Sequence, residues 1–299
     1  EVYVKKDTIT YNAAVSSCEK AGQWLWALQL LHEMADGRVV RNTSTYNSAM
    51  SACAKIGDWL QALQLMHEMG DVRVEQDTIT YCAALDACEK TGESSQALQL
   101  LRDMDEVRVE KDTIAYNAAV GACQKAKDWT MALLLLREMA QVLVETDTIT
   151  YSTVIDACET AGWQLALTLL FEMTHALDTL SPNAYRAAIS ACGKNSECRQ
   201  AMQILSQMAD GRVEKGCNTY TAAISACEKA GDWWQALQLL DEMARVHVER
   251  DAFTYAAAIS AGKNRGQSLQ AFQLLREMAV GRVQRDTIAY SAAISVCAS

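Results

Sequence analysis

The chain has 299 residues, a formal net charge of −10 and a pI of about 5.0, and it contains a single proline, Pro182. A balance this acidic argues against a generic polyanion-binding protein, because such proteins are basic overall. No apolar run approaches the ~18 residues that a membrane-spanning helix requires, so the sequence predicts no transmembrane segment.

A six-residue phrase, Asp-Thr-Ile-Thr-Tyr-Asn in its first copy, recurs along the whole chain. Its tyrosines lie 35 residues apart, with one interval of 34. They are Tyr11, Tyr46, Tyr81, Tyr116, Tyr151, Tyr185, Tyr220, Tyr255 and Tyr290. A period of this length, held from end to end, indicates a stacked repeat array rather than a globular domain with one core. We number eight full repeats from about residue 8 to residue 286, with a partial repeat at each end, and expect the chain to be a segment of a longer protein.

Each repeat is predicted to form two helices. In repeat 4 (residues 113–147), Asp112 or Thr113 can cap the first helix, and apolar residues recur from Tyr116 to Cys123 at helical spacing. The second helix has the pattern Trp-Trp-Gln-Ala-Leu-Gln-Leu-Leu-Asp-Glu-Met in repeat 7. A glycine between the two helices supplies the left-handed residue that ends the first one. The turn glycines are Gly22, Gly57, Gly92, Gly162, Gly231 and Gly266.

Cysteine and methionine also recur at fixed positions of the repeats. Equivalent positions on stacked helices lie ~8–10 Å apart, which is too far for a disulfide. The sequence has no Cys-x-x-Cys pair that would indicate zinc. We therefore interpret both residue types as buried core, and the cysteines as free thiols suited to a reducing compartment. The cysteines are Cys18, Cys53, Cys88, Cys123, Cys158, Cys192, Cys227 and Cys297, and the methionines are Met34, Met69, Met104, Met139, Met173, Met208, Met243 and Met278.

The first helix of each repeat has a further face that this core leaves exposed. Positions spaced three or four apart share that face. In most repeats it carries a branched apolar residue two before the tyrosine, a small polar residue directly after it and a lysine at the helix end. In register, these columns suit a single-stranded nucleic acid, with apolar groups for base faces, amides and hydroxyls for base edges, and ammonium groups for phosphates. Each feature also has a structural explanation, because a lysine in the last turn of a helix interacts favourably with the helix dipole.

Tandem units that combine Asp-Thr-Ile-Thr-Tyr-Asn, Ala-Cys-Glu-Lys-Ala-Gly, Gln-Ala-Leu-Gln-Leu-Leu and Glu-Met resemble pentatricopeptide repeats over essentially the whole chain. The resemblance implies a right-handed all-α solenoid, a single array over residues 1–299. It also implies binding of single-stranded RNA in a plastid or mitochondrion, with the plastid favoured, and neither a cofactor nor a small-molecule substrate. The Val-Glu-x-Asp linkers and the near-identity of many repeats resemble algal or protist members of the family.

The resemblance further implies that each repeat reads one base. The residue after the tyrosine and the last residue of the repeat read the base, the apolar residue two before the tyrosine sandwiches it, and the lysine approaches phosphate. The implied reading pairs are Asn47 with Asp77 and Asn117 with Asp147 for uracil, Asn12 with Asn42 for a pyrimidine leaning to cytosine, and Thr221 with Asp251 for guanine. The sandwiching residues are Ile9, Ile79, Ile114, Ile149, Phe253 and Ile288. The phosphate lysines are Lys20, Lys55, Lys90, Lys125, Lys194 and Lys229.

Half of the repeats depart from this reading pattern. The departing pairs are Cys82 with Asp112, Ser152 with Ser181, Arg186 with Gly216, and Ala256 with Asp286, and the apolar wedge is lost at Ser44, Asn183 and Asn218. A good base contact contributes ~1–3 kcal/mol, so four readable repeats predict a modest affinity. An irregular joint is predicted near residues 159–183, where one residue is missing and the proline occurs; it is either degenerate or contacts a partner.

Two functions follow from these observations. The first is an organellar RNA-binding adaptor that acts in transcript processing, stability or translation. The second is a structural scaffold subunit of a large organellar assembly, such as a ribosome or a membrane complex, in which the same surface grips a protein segment or fixed RNA. The departing pairs and the acidic balance favour the second function. Neither an enzyme nor a metal site is predicted, because the four histidines are scattered along the chain.

Overall fold

The computed structural model describes residues 7–177, 181–263, 268–280 and 287–297, and every regular element within these ranges is a helix. The first helices of the repeats are α1 (Thr8–Ala21), α3 (Thr43–Ile56), α5 (Thr78–Thr91), α7 (Thr113–Ala126), α9 (Thr148–Ala157), α11 (Pro182–Lys194), α13 (Cys217–Ala230), α15 (Ala252–Ala261) and α17 (Thr287–Cys297). The second helices are α2 (Trp24–Asp36), α4 (Trp59–Asp71), α6 (Ser94–Glu106), α8 (Trp129–Gln141), α10 (Trp163–Leu177), α12 (Cys198–Asp210), α14 (Trp233–Arg245) and α16 (Ser268–Val280). The prediction of an all-α solenoid built from helix pairs is confirmed.

The chain divides into two compact units, residues 1–157 and residues 158–299. In the N-terminal unit α1, α3, α5 and α7 each pack on the second helix of their own repeat and on the first helix of the next repeat. In the C-terminal unit α11, α13 and α15 do the same. The division falls just ahead of the predicted joint at 159–183. A 3₁₀ turn at Cys158–Thr160 follows α9, and α10 has 15 residues where the other second helices have 13.

Local sequence explains where the first helices begin and end. In six of them the capping side chain accepts a hydrogen bond from the backbone N–H of the third helical residue, which satisfies a donor that has no partner within the helix. These caps are Asp7, Asn42, Asp77, Asp112, Asp147 and Asp251. Gly22, Gly57, Gly92 and Gly231 end their helices in the left-handed conformation with φ between 66° and 79°. Lys127 takes this conformation in repeat 4, and Gly266 lies outside the described residues.

The predicted methionine column and most of the predicted cysteine column are confirmed as core. Cys18 is only partly buried, and the side chain of Cys297 lies outside the described residues. All eight methionines of the column are fully buried. So are Cys53, Cys88, Cys123, Cys158 and Cys192, and burial raises the pKa of these thiols to about 11 or 12. These five cysteines therefore stay protonated near neutral pH and act as small apolar side chains.

The expectation that the cysteines are all free thiols is wrong for one pair. Cys198 and Cys227 form a disulfide, with their Cα atoms 4.8 Å apart. The distance argument holds for cysteines in equivalent positions, but Cys198 lies at the start of a second helix, where Trp163 and Trp233 stand in neighbouring repeats. The disulfide therefore joins the second helix of repeat 6 to the first helix of repeat 7.

Within the described residues, four tyrosines belong to a recurring group of three side chains, here called the cation–Tyr–Glu cluster. In repeat 7, Tyr220 donates a hydrogen bond to Glu242 (2.8 Å), and Lys215 lies 2.9 Å from the same carboxylate and 5.9 Å from the centre of the tyrosine ring. Burial alone would raise the pKa of Glu242, but the hydrogen bonds from Lys215 and Tyr220 lower it. The other clusters are Arg41–Tyr46–Glu68, Lys111–Tyr116–Glu138 and Arg250–Tyr255–Glu277.

Candidate nucleic-acid interface

The predicted apolar wedges lie on the exposed face of the first helices. Ile9, Ile79, Ile114 and Ile149 in the N-terminal unit, and Phe253 and Ile288 in the C-terminal unit, are between 53% and 78% exposed. A single exposed isoleucine is ordinary in a folded protein. An isoleucine or phenylalanine that recurs at the same position of six repeats is unusual, because it places an exposed apolar side chain beside the reading position of each of those repeats.

The structure brings three of the four predicted reading pairs into direct contact. The side-chain amide of Asn47 donates to Asp77 Oδ1 (3.0 Å), and that of Asn12 donates to Asn42 Oδ1 (3.2 Å). The amide of Asn117 lies 3.4 Å from both carboxylate oxygens of Asp147. Each pair joins the fifth residue of one first helix to the cap of the next, so the contact follows from how consecutive repeats stack.

A threonine that the sequence interpretation overlooked completes each of these pairs. Thr80 donates its hydroxyl hydrogen to Asn47 Oδ1 (2.8 Å), and Thr150 donates to Asn117 Oδ1 (2.6 Å). Thr45 makes the equivalent contact with Asn12. Each asparagine is thereby held by a donor on one side and an acceptor on the other, and its amide orientation is defined by both contacts.

The guanine-type pair is arranged differently. The hydroxyl of Thr221 donates to the Cys217 carbonyl (2.9 Å) and lies 3.1 Å from the hydroxyl of Thr254. Thr254 in turn donates its backbone N–H to Asp251 Oδ1 (2.8 Å). Thr254 therefore bridges Thr221 and Asp251, whereas an asparagine at the reading position reaches its partner directly.

All six predicted phosphate lysines are exposed at the ends of their helices. Lys55 Nζ donates to the carbonyl of Glu19 (2.6 Å), Lys125 Nζ donates to the carbonyl of Lys90 (3.5 Å), and Lys194 forms an ion pair with Glu159. Lys55 and Lys125 thus contact backbone carbonyls at the end of the preceding first helix, where a positive charge is favourable. Lys194 contacts a carboxylate of the 3₁₀ turn at Cys158–Thr160. An ammonium group has three donors, so these contacts leave others for a phosphate.

An open groove of about 520 Å³ surrounds the reading pair of repeat 4. Ile114 and Ile149 stand in its lining. The carboxylates of the lining are Asp86, Glu89, Asp147 and Asp156. Burial raises the pKa of Glu89. This groove, called the acidic groove below, has the apolar wedges that a base requires and a charge that repels phosphate.

A second groove, of about 360 Å³, lies between α11 and α13 in the C-terminal unit. Its charged lining residues are Arg186, Lys194 and Lys229. The lining also includes the hydroxyl groups of Ser190 and Ser225, the predicted reader Thr221 and the predicted wedge Phe253. This groove, called the basic groove below, has the charge that the acidic groove lacks.

Two kinds of site are not found in the described part of the chain. Its histidine, cysteine, aspartate and glutamate side chains form no cluster of three or more that could hold a metal ion. None of its helices combines the length and the apolar character needed to cross a membrane.

Family models match most of the sequence. The model of the PPR repeat family matches residues 6–55 and 41–90, and that of the PPR repeat matches residues 79–109. The model of the pentacotripeptide-repeat region of PRORP matches residues 109–290, which is more than half of the chain. No curated protein matches the sequence.

Several solved structures share the fold. The maize pentatricopeptide repeat protein PPR10 is 21% identical over 98% of this chain and 47% of its own, with a TM-score of 0.59. PPR10 in complex with an 18-nt psaJ RNA element is 20% identical over 99% of this chain and 52% of its own, with a TM-score of 0.50. The PPR domain of Arabidopsis thaliana protein-only RNase P 1, in complex with tRNA, is 15% identical over 57% of this chain and 91% of its own, with a TM-score of 0.51. This chain therefore spans about half the length of the maize chains.

Proposed function

Because the chain belongs to the pentatricopeptide repeat family, we propose that it binds single-stranded RNA along the exposed face of its first helices, with about one base per readable repeat. The observation that carries the proposal is the set of three asparagine pairs, each oriented by a threonine of the next repeat. The proposal includes a role in transcript processing, stability or translation in a plastid or mitochondrion.

The hydrogen-bonding capacity of the Asn47 pair supports the choice of base. Asn47 uses one N–H on Asp77 and one lone pair on Thr80, so one donor and one acceptor of the amide are left. The contacts of Asp77 with Asn47 and Thr80 all use Oδ1, and a carboxylate has a second oxygen. Uracil presents N3–H beside a carbonyl, which matches an acceptor beside a donor. Cytosine presents an unprotonated N3 there and instead requires a donor.

The direct test is Asp147→Asn in repeat 4. Asparagine caps a helix about as well as aspartate, so α9 should remain folded, while the exchanged oxygen and amide should move the preference at one nucleotide from uracil to cytosine. A contact of this kind is worth about 1–3 kcal/mol, so a preference change of about tenfold is expected. Competition between RNA oligonucleotides that differ only at that base measures it.

Asp112→Asn is the matched control. Asp112 caps α7 by accepting from the Ala115 backbone N–H (2.8 Å), but its reading partner is Cys82 rather than an amide. The control should therefore leave uracil and cytosine preferences unchanged. An unchanged preference in Asp147→Asn, in a protein that still binds RNA, would remove Asp147 from the reading role.

The acidic groove supports a second candidate, a scaffold subunit that holds a protein segment on the same face. Its four carboxylates would repel phosphate and attract lysine or arginine side chains. Sequencing the RNA that crosslinks to the natively purified protein separates the two candidates. A discrete pyrimidine-rich footprint supports the RNA-binding adaptor, whereas no RNA, or only ribosomal RNA in a large particle, supports the scaffold.

A further inference from the structure

A buried threonine recurs beside the reading pairs, at the third residue of a first helix. In α3, α5 and α9 this threonine is fully buried. A hydroxyl group that is removed from water needs a hydrogen-bond partner. Each of these threonines finds one on the asparagine reader of the preceding repeat, so a buried hydroxyl is linked to the reading face across the repeat boundary. The contacts are Thr45 with Asn12, Thr80 with Asn47, and Thr150 with Asn117.

In repeat 4 the threonine lies closer to the reader than the cap does. Thr150 Oγ1 is 2.6 Å from Asn117 Oδ1, whereas the amide nitrogen of Asn117 is 3.4 Å from both carboxylate oxygens of Asp147. The Thr150 hydroxyl also lies 2.9 Å from Asp147 Oδ1, but a hydroxyl has a single hydrogen to donate. Asp147 Oδ1 already accepts the backbone N–H of Thr150 at 2.8 Å. The shorter contact therefore assigns the hydroxyl hydrogen to Asn117.

This hydrogen bond restricts the torsion that orients the amide of the reader. The terminal torsion of an asparagine side chain is broad and roughly two-fold, so staggering alone does not fix the plane of the amide. A donor at Oδ1 and an acceptor at the amide nitrogen fix it together. A base that pairs with the remaining donor and acceptor then meets them in one geometry. Without the hydroxyl the amide could turn, and a turned amide would discriminate less between uracil and cytosine.

The residue at this third position varies with the reader that precedes it. Burial alone does not explain the choice, because threonine and alanine are both buried there. Alanine follows three readers that offer such a hydroxyl little or nothing: a thiol is a weak acceptor, an alanine has no polar group, and the hydroxyl of Ser152 donates to the Thr148 carbonyl of its own helix. Threonine follows Asn12, Asn47, Asn117, Arg186 and Thr221 as Thr45, Thr80, Thr150, Thr219 and Thr254, and alanine follows Cys82, Ser152 and Ala256 as Ala115, Ala184 and Ala289.

We propose that the third residue of a first helix is a positioning residue for the base reader of the preceding repeat, and that its hydroxyl sets how strongly an asparagine reader discriminates between pyrimidines. The residue does not touch the base and acts through the amide that it holds. Reading of one nucleotide then uses the asparagine, the cap and the threonine of the following repeat. This inference rests on the proposed RNA binding and adds a residue that determines its specificity.

The first test compares Thr150→Ala with Thr80→Ala, and each variant is the matched control for the other. Alanine is the buried residue at this position in α7 and α11, so both variants should fold. The ligands are uridine-rich oligonucleotides with cytosine at the nucleotide of repeat 2 or of repeat 4. Thr150→Ala should lower the ratio of uracil to cytosine affinity about two- to tenfold at the repeat 4 nucleotide, the effect of one lost hydrogen bond, and leave the repeat 2 nucleotide unchanged. Thr80→Ala should do the reverse.

Thr150→Ser is the conservative variant, because it keeps the hydroxyl and removes only the methyl group. It should retain the wild-type ratio at the repeat 4 nucleotide. An equal fall at both nucleotides in either alanine variant would indicate a general loss of structure and would overturn the inference. An unchanged ratio in both alanine variants, with a wild type that distinguishes the two bases, would overturn it while leaving RNA binding intact.

A second test installs the contact where the chain lacks it. Repeat 3 has the exposed wedges Ile79 and Ile114 and the cap Asp112, but its reader is Cys82 and the following third residue is Ala115. Cys82→Asn combined with Ala115→Thr should create a preference for uracil over cytosine at the repeat 3 nucleotide. That preference should exceed the preference of Cys82→Asn alone by about two- to tenfold, and Ala115→Thr alone should create none. An equal preference in Cys82→Asn alone would overturn the inference.

A third measurement needs no RNA. Nuclear relaxation of the Asn117 side-chain NH₂ group, assigned by its loss in Asn117→Ser, reports how firmly the amide is held on the picosecond to nanosecond timescale. The amide should be rigid in the wild type and in Thr150→Ser, and mobile in Thr150→Ala. Equal mobility in all three proteins would overturn the inference. A difference in a protein that binds no single-stranded RNA would keep Thr150 as the group that orients Asn117 and reject the proposed function.

Discussion

The acidic groove and the basic groove occupy the same face of the repeat in two different units, yet their lining residues carry opposite charges. The acidic groove keeps two isoleucine wedges and an Asn–Asp pair among four carboxylates. The basic groove has Phe253 as its apolar wedge and Thr221 as its reader, with three cations and no carboxylate among its described lining residues. The buried tyrosine and cysteine positions are the same around both. The difference teaches that the core columns build the helix pairs, while a few exposed positions determine what each groove can bind.

A larger difference between the units is covalent, and Cys198→Ser is expected to have the largest effect on stability. The Cys198–Cys227 disulfide closes a segment with a sequence separation of 29 residues. Constraint of the unfolded chain by a loop of that size is worth roughly 3–4 kcal/mol. In urea unfolding experiments, the free energy of unfolding of the wild type should therefore fall by this amount when a reductant is added. The free energy of unfolding of Cys198→Ser should be the same with and without the reductant.

Cys192→Ser provides the comparison for this experiment. Cys192 is a buried free cysteine of the same unit, so its substitution disturbs packing without touching the disulfide. It should retain the full dependence on reductant. A wild type whose stability ignores the reductant would show that the disulfide does not form in solution.

The cation–Tyr–Glu cluster predicts an intermediate effect on stability, measured by comparing a tyrosine inside a cluster with one outside it. Tyr220 and Tyr81 are both buried, but Tyr220 donates to a carboxylate at 2.8 Å, while Tyr81 donates to the amide oxygen of Gln76 at 3.4 Å. A hydrogen bond to a charged group contributes about 1.5–3 kcal/mol and a neutral one about 0.5–1.5 kcal/mol. Tyr220→Phe should therefore lower the free energy of unfolding by more than Tyr81→Phe. Equal losses would show that the cluster adds nothing beyond an ordinary hydrogen bond.

The smallest expected effect concerns the charge of the acidic groove. Glu89→Gln removes one carboxylate while keeping the shape of the side chain, and RNA binding at pH 7 should tighten roughly two- to fivefold. The Glu89 pKa is raised in the folded protein, so this group opposes stability when ionised and becomes protonated as the pH falls towards that pKa. Wild-type RNA binding should therefore tighten at lower pH, and Glu89→Gln should remove part of this dependence.

Glu106→Gln is the control for this change, because Glu106 is exposed at the end of the second helix α6 in the same unit. It alters net charge equally and should change affinity less. If both variants bind RNA alike, the groove carboxylate has no particular influence on the strand.

Much of the fold could be predicted because the same few positions are buried in every repeat. The helical spacing of tyrosine, cysteine and methionine identifies the core, and the Asp caps and turn glycines locate the first helices. The Cys198–Cys227 disulfide was missed because comparison of equivalent positions says nothing about contacts between different positions. The cation–Tyr–Glu cluster was missed for the same reason, since it combines a linker residue with residues from both helices.

The candidate site was predicted less completely than the fold. The contacts within the Asn–Asp pairs agree with the implied pairing of positions, but the threonine that orients each asparagine came only from the structure. A signal was present in the sequence: Thr45, Thr80 and Thr150 each follow an asparagine reader by 33 residues, whereas Ala115 follows Cys82 at that distance. Groove charge could not be predicted from single repeats, because each groove combines side chains from adjacent first helices.

The cation–Tyr–Glu cluster has a consequence for how such an array can be recombined. Its members in repeat 2 all lie between Arg41 and Glu68, so a segment cut just before the linker cation carries the whole cluster with it. The contacts of Asn47 reach forward to Asp77 and Thr80 and cross any such cut. A transplanted repeat would therefore keep the stabilising contacts of its own cluster. Its base preference would depend partly on the residues of the repeat that follows it. A protein with one repeat exchanged should therefore fold, and its base preference should change at two adjacent nucleotides of the RNA.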